Sequence, residues 1–417
     1  MKSLVIGSGG REHALVAALL RDGEVGCVGG NPGIAAECEV LPGNLSAFDS
    51  ILSACRSFAP DLVVVGPEDP LVLGLADFLR AEGFQVFGPG MEGAKLEASK
   101  DFSKQVMAKA GVPTAAFQSF TEVEPAKDYA RSRFDAGFNV VVKASGNALG
   151  KGVVVCASLE EADDALESML VEKIFGDAGS IVVVEDRLLG EEISLLTVVG
   201  DHDFWTFPLC RDHKRALDRD RGPNTGGMGT VSPLGGIHEE RVQEYEEAIV
   251  RPLLSGLKAR HIDYRGMLFS GLMMHENAPY CLEYNVRFGD PETQSLVMRT
   301  GSGMGACLLS AALGEPISPP TVLNNAACTV VLASGGYPGT YEKGKPITIG
   351  KTNENVKIFH AGTQTVGGAL VTSGGRVLGV SASAPTLSEA RASAYEAVKS
   401  ISFDGMMYRT DIGESLL

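Results

Sequence analysis

Over roughly the first ninety residues, short apolar runs alternate with helical stripes, and this alternation restricts the fold more than any other feature of the chain. Residues 4–6 form an apolar run closed by Gly7-Ser8-Gly9-Gly10. A helix follows, with Ala14, Leu15, Ala18 and Leu19 on one stripe. Residues 25–28, 62–65 and 85–87 read as further strands, the last preceded by a helix over 71–81. Such alternation implies right-handed crossovers and a parallel sheet covered on both faces. The expected class is α/β, opening with a Rossmann-like parallel-sheet domain.

Beyond residue 100 the pattern changes. Residues 101–110 read as a helix, with Phe102, Val106 and Ala110 four apart and a stop at Gly111-Val112-Pro113. Residues 115–195 mix short strands at 140–143, 153–156 and 181–185 with one helix at 159–170. The stretch 211–233 is rich in Gly, Asp, Arg and Asn with little periodicity, and is expected to be a long functional loop. A helix at 239–260 and strands at 265–274 and 279–285 come next, then a helix and a proline-bearing linker over 302–325. The last helix opens on Thr386-Leu387-Ser388-Glu389, a capping-box spacing. The expected division is 1–100, 101–325 with a subdomain at about 115–195, and a small mixed α+β domain at 326–417.

Length and charge narrow the functional classes. A chain of 417 residues suffices for roughly two to four domains with their own cores. Acidic residues outnumber basic ones 52 to 36, which argues against a nucleic-acid partner. Eight cysteines lie mostly in apolar runs without CxxC spacing, as reduced core thiols of a cytoplasmic protein do. No apolar run reaches the length of a membrane span, and Gly9-Gly10-Arg11-Glu12-His13 interrupts the first one where a signal peptide would continue.

Four stretches carry chemistry. In residues 281–292, the strand 281–285 places Glu283 and Asn285 on one face, two hard oxygen donors that suit Mg²⁺ while leaving positions for water and phosphates. Arg287 follows, a planar fork for carboxylate or phosphate; a solvated edge strand is the plain alternative. Lys143 ends a strand and precedes the glycine-punctuated 144–153 loop, with Gly150-Lys151-Gly152, which can clasp phosphates but is not a Walker A loop. Residues 183–192 set Glu185 and Glu192 seven apart, for adenine and ribose or simply as an acidic turn. At the N-terminus, Gly7-Ser8-Gly9-Gly10-Arg11-Glu12 joins strand to helix, where backbone amides favour an anion, and Glu68 lies in a second loop at the same sheet edge. The spacing is GxGGxE rather than G-x-G-x-x-G, and no acid follows the second strand to hold a ribose, which counts against an NAD-dependent oxidoreductase.

In order and spacing, Lys100, Lys143, Gly150-Lys151-Gly152, residues 185–192 and Glu283-x-Asn285 resemble the ATP-grasp ligases. The strings GSGGREHAL, VGPEDPL, DHKR, GPNTGGMG, RFGDPETQ and ASGGYPG are similar, nearly end to end, to those of the phosphoribosylamine–glycine ligases, or glycinamide ribonucleotide synthetases, of purine biosynthesis. The resemblance implies an N-terminal domain that receives 5-phosphoribosylamine, an ATP-grasp domain with a mobile lid, and a small C-terminal domain. It implies ATP-dependent ligation of glycine to 5-phosphoribosylamine through glycyl phosphate, with ATP as co-substrate and Mg²⁺ or Mn²⁺ as metal. Lys100, Lys143, Gly150, Lys151, Gly152 and Lys214 would contact ATP, with Glu185, Asp186, Arg187 and Leu188 along the adenine and Glu192 on the ribose. Glu283 and Asn285 would ligate the metal. Arg287, Asp290 and Asp212 would act at the reacting groups. Gly9, Gly10, Arg11, Glu68, Asn224, Thr225, Gly226, Gly227 and Arg287 would bind the other substrates. A cytoplasmic monomer or weak dimer, with neither nucleic acid nor membrane as partner, is expected. The chain departs from the family in reading Lys143-Ala144-Ser145-Gly146 where Lys-Ala-Asp-Gly is usual, and in having no acid on the strand before Glu283. Another ATP-grasp carboxylate–amine ligase or a carboxylase acting on a purine intermediate is the alternative.

Overall fold

The computed structural model describes residues 1–417 except 147–151, 202, 236–238 and 417; Asn147, Gly150 and Lys151 therefore lie outside the described residues. The N-terminal sheet is fully parallel, in the order Glu39–Leu41, Glu24–Gly29, Lys2–Gly7, Leu62–Val65, Val86–Phe87. Its central strand is buried on both faces, as covered parallel strands must be. Not legible in the alternation were the short edge strand Glu39–Leu41, the helices Pro32–Ala35 and Met91–Ala98, and the helix Phe48–Phe58 that packs Ile51, Leu52, Cys55 and Phe58 on the sheet. The single helix expected over 71–81 is two, Glu68–Val72 and Leu75–Ala81, parted at Gly74, whose φ of +91° suits a residue without a Cβ.

Residues 117–186 build a four-stranded antiparallel sheet, in the order Phe117–Phe120, Val182–Asp186, Val140–Ala144, Val153–Cys156. The two-residue period decides its faces. Val140, Val142, Ala144, Val182 and Val184 turn into a core of their own, covered by helices Val123–Asp135 and Leu159–Leu166. Val141, Lys143 and Glu185 are left on the opposite face. The helix Val123–Asp135 corrects the single-helix reading of this region.

A second antiparallel sheet, in the order Phe204–Thr206, Glu191–Val199, Gly266–His275, Ala278–Asn285, forms the facing wall. The segment 211–233 is not one loop. It holds the strands Arg211–Asp212, Arg215–Leu217, Arg221–Asn224 and Gly229–Ser232. The first and last join Ala326–Ser334, Arg376–Ala384 and Val356–His360 in one sheet, so pairing runs across the boundary expected at residue 326. The helix Leu387–Val398 opens with the expected capping box between Thr386 and Glu389.

Candidate active site

Between the two walls lies a cleft of about 1230 Å³. Lys143 and Glu185 enter it from the first sheet, one register step apart. Both are almost fully buried, and one Glu185 oxygen pairs with Lys143 while the other lies 2.5 Å from Lys104, a residue the sequence reading missed. Lys100 opens the helix Lys100–Ala110, and burial lowers its pKa. The start of that helix is fixed by two serines. Ser99 accepts from the Phe102 amide at 3.2 Å, and Ser145 accepts from the Asp101 amide at 3.0 Å. Ser145, standing where the family usually has Asp, thus serves as a cap. Asp186 is gripped by both arms of the Arg133 fork at 2.7 and 2.6 Å, and the Arg187 amide donates to the Asn139 carbonyl; Arg187, Leu188 and Gly152 also line the cleft.

On the facing wall, Glu283 lies opposite Gly271 and Asn285 opposite Phe269. The Glu283 side chain makes no hydrogen bond or ion pair with any described residue. Burial pushes its pKa up, but Lys214, Lys143, Lys100 and Arg287 outweigh burial and hold it below the ordinary carboxylate range. Asn285 accepts from Arg287 at 3.3 Å, Arg287 also reaches Glu97 at 3.2 Å and Glu68 at 3.6 Å, and Lys214 pairs with Glu192 at 2.7 Å.

The third wall comes from 211–229 and the C-terminal domain. Burial raises the pKa of both Asp212 and Glu292, and the nearby Glu292 carboxylate raises that of Asp212 further. Ser194 donates to Glu292 at 3.0 Å, whereas Asp212 Oδ1 has no partner among the described residues. Thr225 closes its turn by donating to the Lys214 carbonyl and accepting from the Gly227 amide; Asn224 is exposed at the rim. Arg376, which sequence reasoning did not single out, donates to the carbonyls of Gly226 and Asp290, both at 2.6 Å, and lies 3.4 Å from the Asp290 carboxylate. His213 is buried with one ring nitrogen toward the Gly229 carbonyl and the other accepting from the Gly413 amide. That fixes it as a structural residue.

At the N-terminal loop the expectation of free amides needs correction. The Gly9 amide is already taken by Glu12 at 2.6 Å, and Arg11 donates to Glu12 at 2.6 Å and to the Phe288 carbonyl at 3.2 Å, with Glu68 at 3.8 Å. A Cβ on Gly9 would lie 2.7 Å from Glu12 Oε2, and one on Gly10 2.7 Å from Gln294 Nε2, so a larger residue at either position has to push the end of a neighbouring side chain aside. A second cavity of about 370 Å³ separates this loop from Ala361–Thr363 of the C-terminal domain, and Asp290 and Arg376 form its wall toward the main cleft.

Three family descriptions match in succession: Phosphoribosylglycinamide synthetase N domain over residues 1–97, its ATP-grasp (A) domain over 98–293, and its C domain over 327–415. The chain belongs to the phosphoribosylglycinamide synthetase family. The phosphoribosylamine–glycine ligase of Rhizobium meliloti is 44% identical over 99% of this chain and 98% of its own length, and that of Vibrio cholerae 42% over the same shares. The crystal structure of the Thermotoga maritima phosphoribosylamine–glycine ligase superposes with a TM-score of 0.87 at 35% identity, covering 99% of this chain and 100% of that one. The biotin carboxylase domain of Hydrogenobacter thermophilus 2-oxoglutarate carboxylase, at 18% identity and a TM-score of 0.73 over 98% of this chain and 91% of that one, shares the fold alone. No helix among the described residues is long and apolar enough to cross a membrane.

Members of this synthetase family use ATP and a divalent metal in general. Among the described residues no cluster of three or more His, Cys, Asp or Glu could hold an ion. Glu283 and Asn285 nevertheless fit one that arrives with phosphate oxygens: the carboxylate is ionised and unpartnered, and an amide oxygen has a second lone pair beyond the one Arg287 uses. A bare divalent ion would meet four cations there, so metal and nucleotide are expected to enter together.

Proposed function

We propose that the two walls of this cleft carry out the family's reaction: ATP-dependent joining of glycine to 5-phosphoribosylamine, giving glycinamide ribonucleotide, ADP and phosphate. The observation that carries the reading is the ionised, unpartnered Glu283 in the field of Lys100, Lys143, Lys214 and Arg287. Such a site is short of a polyanion and a cation together, which metal–ATP supplies. Lys100, Lys143 and Lys214 would hold the phosphates, residues 185–188 would run along the adenine, and Glu192 would take the ribose. Glu283 and Asn285 would hold Mg²⁺ or Mn²⁺, whose part is to neutralise charge on the transferring phosphoryl group.

A glycine carboxylate oxygen attacks the γ-phosphorus and ADP leaves; the phosphoribosylamine nitrogen then attacks the acyl carbon, phosphate leaves, and the nitrogen gives up a proton. Arg287 would steer the glycine carboxylate, and Gly226 and Gly227 would close over the acyl phosphate to keep water out. Asp212, its pKa raised by burial and Glu292, would accept the proton from the amine. The ribosyl substrate would enter past Gly9, Gly10, Arg11 and Glu68, with its phosphate toward the smaller cavity and its amine at the Asp290–Arg376 wall. Residues 1–100, 101–325 and 326–417 would serve as amine-binding, ATP-grasp and closing domains of a cytoplasmic monomer or weak dimer. The separate hydrophobic core of the 117–186 sheet supports its role as a lid. The test is ADP release: purified protein should form ADP only with glycine, phosphoribosylamine and Mg²⁺ or Mn²⁺ all present. Release independent of glycine would overturn the reading.

A further inference from the structure

Lys104 is a buried cation for which the reaction above has no use. It sits one turn after Lys100, 2% exposed, with its ammonium 2.5 Å from Glu185 Oε2 and 2.6 Å from the Thr114 hydroxyl. Thr114 in turn donates to the Cys281 carbonyl at 2.7 Å, tying this corner to the strand that carries Glu283. The other Glu185 oxygen is on Lys143. One carboxylate is thus divided between two ammonium groups, and the three charges sum to one positive charge buried in the cleft wall.

Resting on the reading that ATP occupies this cleft, we propose that Lys104 is a positioning residue for nucleotide binding: it draws the Glu185 carboxylate partly away from Lys143 and so leaves the Lys143 ammonium available to phosphate. Without Lys104, Glu185 would form an undivided buried pair with Lys143. Phosphate would then have to break that pair before using the lysine, and in a low-dielectric site the competition is severe. Burial and the nearness of Lys143 both lower the Lys104 pKa, as expected of two cations pressed onto one acid. Position also matters: Lys104 holds Glu185 Oε2 while Lys143 holds Oε1, so the two ammonium groups share the acid through different oxygens.

The test uses charge restoration, which a purely structural role would not obey. Wild type, Lys104→Met and the double variant Lys104→Met with Glu185→Gln are titrated calorimetrically with MgADP, each checked for folding by thermal melting. The single variant removes the net positive charge and the double restores it. Lys104→Met is expected to weaken MgADP binding by roughly tenfold, and the double variant to return to within about threefold of wild type, while the KM for glycine moves by less than about twofold. If Lys104→Met fails to fold, Lys104→Gln, which can still donate to Thr114, carries the same comparison. Wild-type-like binding by the single variant, or a double variant no better than the single, overturns the proposal. A wild-type protein that does not bind MgADP refutes the nucleotide reading itself, and the proposal with it.

Discussion

Two walls of this molecule put glycine-rich turns and basic residues beside a space for an anion, yet they spend their charges differently. In the cleft proposed for the nucleotide, Glu283 has no partner among the described residues, and the cations around it act on it as a shared field. At the N-terminal loop every strong group is committed: Glu12 takes the Gly9 amide and Arg11, and Arg11 also holds the Phe288 carbonyl and faces Glu68. The first wall is incomplete without a charged ligand, so it should bind by electrostatic exchange and tolerate shape changes poorly compensated in charge. The second is complete by itself, so it should recognise by fit, through the absence of side chains at Gly9 and Gly10. Substitutions that remove a charge from the first wall should therefore destroy turnover without harming the fold, and substitutions that add bulk to the second should raise one KM selectively.

The largest effect is expected at Glu283. Glu283→Ala should lower turnover by about a thousandfold or more while the protein still folds with at most a modest fall in melting temperature, because the half-buried acid makes no direct contact although the surrounding cations favour its charge. Changing Asn285 as well should add little, since residues serving one ion act as a unit. Steady-state ADP release and a thermal melt decide it; near-normal turnover in Mg²⁺ would erase the contrast between the walls. Arg376→Met comes next. Loss of the bonds to the Gly226 and Asp290 carbonyls should loosen the glycine-side loop and lower turnover by roughly a hundredfold, with the KM for ATP nearly unchanged. At the second wall, Gly9→Val should raise the KM for phosphoribosylamine by about tenfold and leave that for ATP within about twofold, because its Cβ would displace the Glu12 cap. Equal damage to both constants would mean that the N-terminal loop does not recognise by fit.

The same contrast marks what a sequence can disclose. Strands 62–65 and 153–156 were legible to the residue because each is an unbroken, mostly β-branched apolar run, wholly buried in the first case and only at Cys156 in the second. Lys143 and Glu283-x-Asn285 were legible because charge at a strand end is a local pattern, whereas Lys100, which opens a helix, and Lys214 were reached only through the resemblance to the ATP-grasp ligases. The helix Val123–Asp135 was missed because it buries only Ala126 and Ala130, too thin a stripe to register. The strands within 211–233 were missed because they are short and lack an apolar period, and because what fixes the last of them is remote. Gly229–Ser232 pairs with Ala326–Ser334, and Arg211–Asp212 enters that sheet only through Gly229–Ser232, while Arg409 and Thr410 bind Asp220 and Asp218. Lys104 and Arg376 carry no motif at all; only the fold shows that one shares Glu185 and the other spans Gly226 and Asp290. The spent state of the N-terminal loop was equally hidden, because a GxGGxE turn does not say where its glutamate will fold back.

The smallest effect concerns the clamp that holds the 211–229 wall to the C-terminal tail. His213 donates to the Gly229 carbonyl and accepts from the Gly413 amide, which requires the neutral ring, and burial with the nearby Arg409 lowers its pKa from 6.5 to about 4. In the unfolded chain the ring binds a proton at higher pH than in the folded one, so the clamp contributes fully above pH 6.5 and is lost as pH falls toward 4. The loss should be roughly 1 kcal/mol for each pH unit in that window. His360, also lowered to about 4 by burial and by His13, titrates in the same window and keeps part of the slope. Glu37 and Asp411, held near 2, lose their contributions only below about pH 4.5. His213→Gln should therefore melt somewhat lower than wild type at pH 7 but show a shallower fall in melting temperature between pH 6.5 and 4. At pH 7 its KM for ATP should stay within about twofold of wild type, because both ring nitrogens are committed to backbone groups. Parallel melting curves across that range would mean that His213 does not carry the acid sensitivity of the clamp.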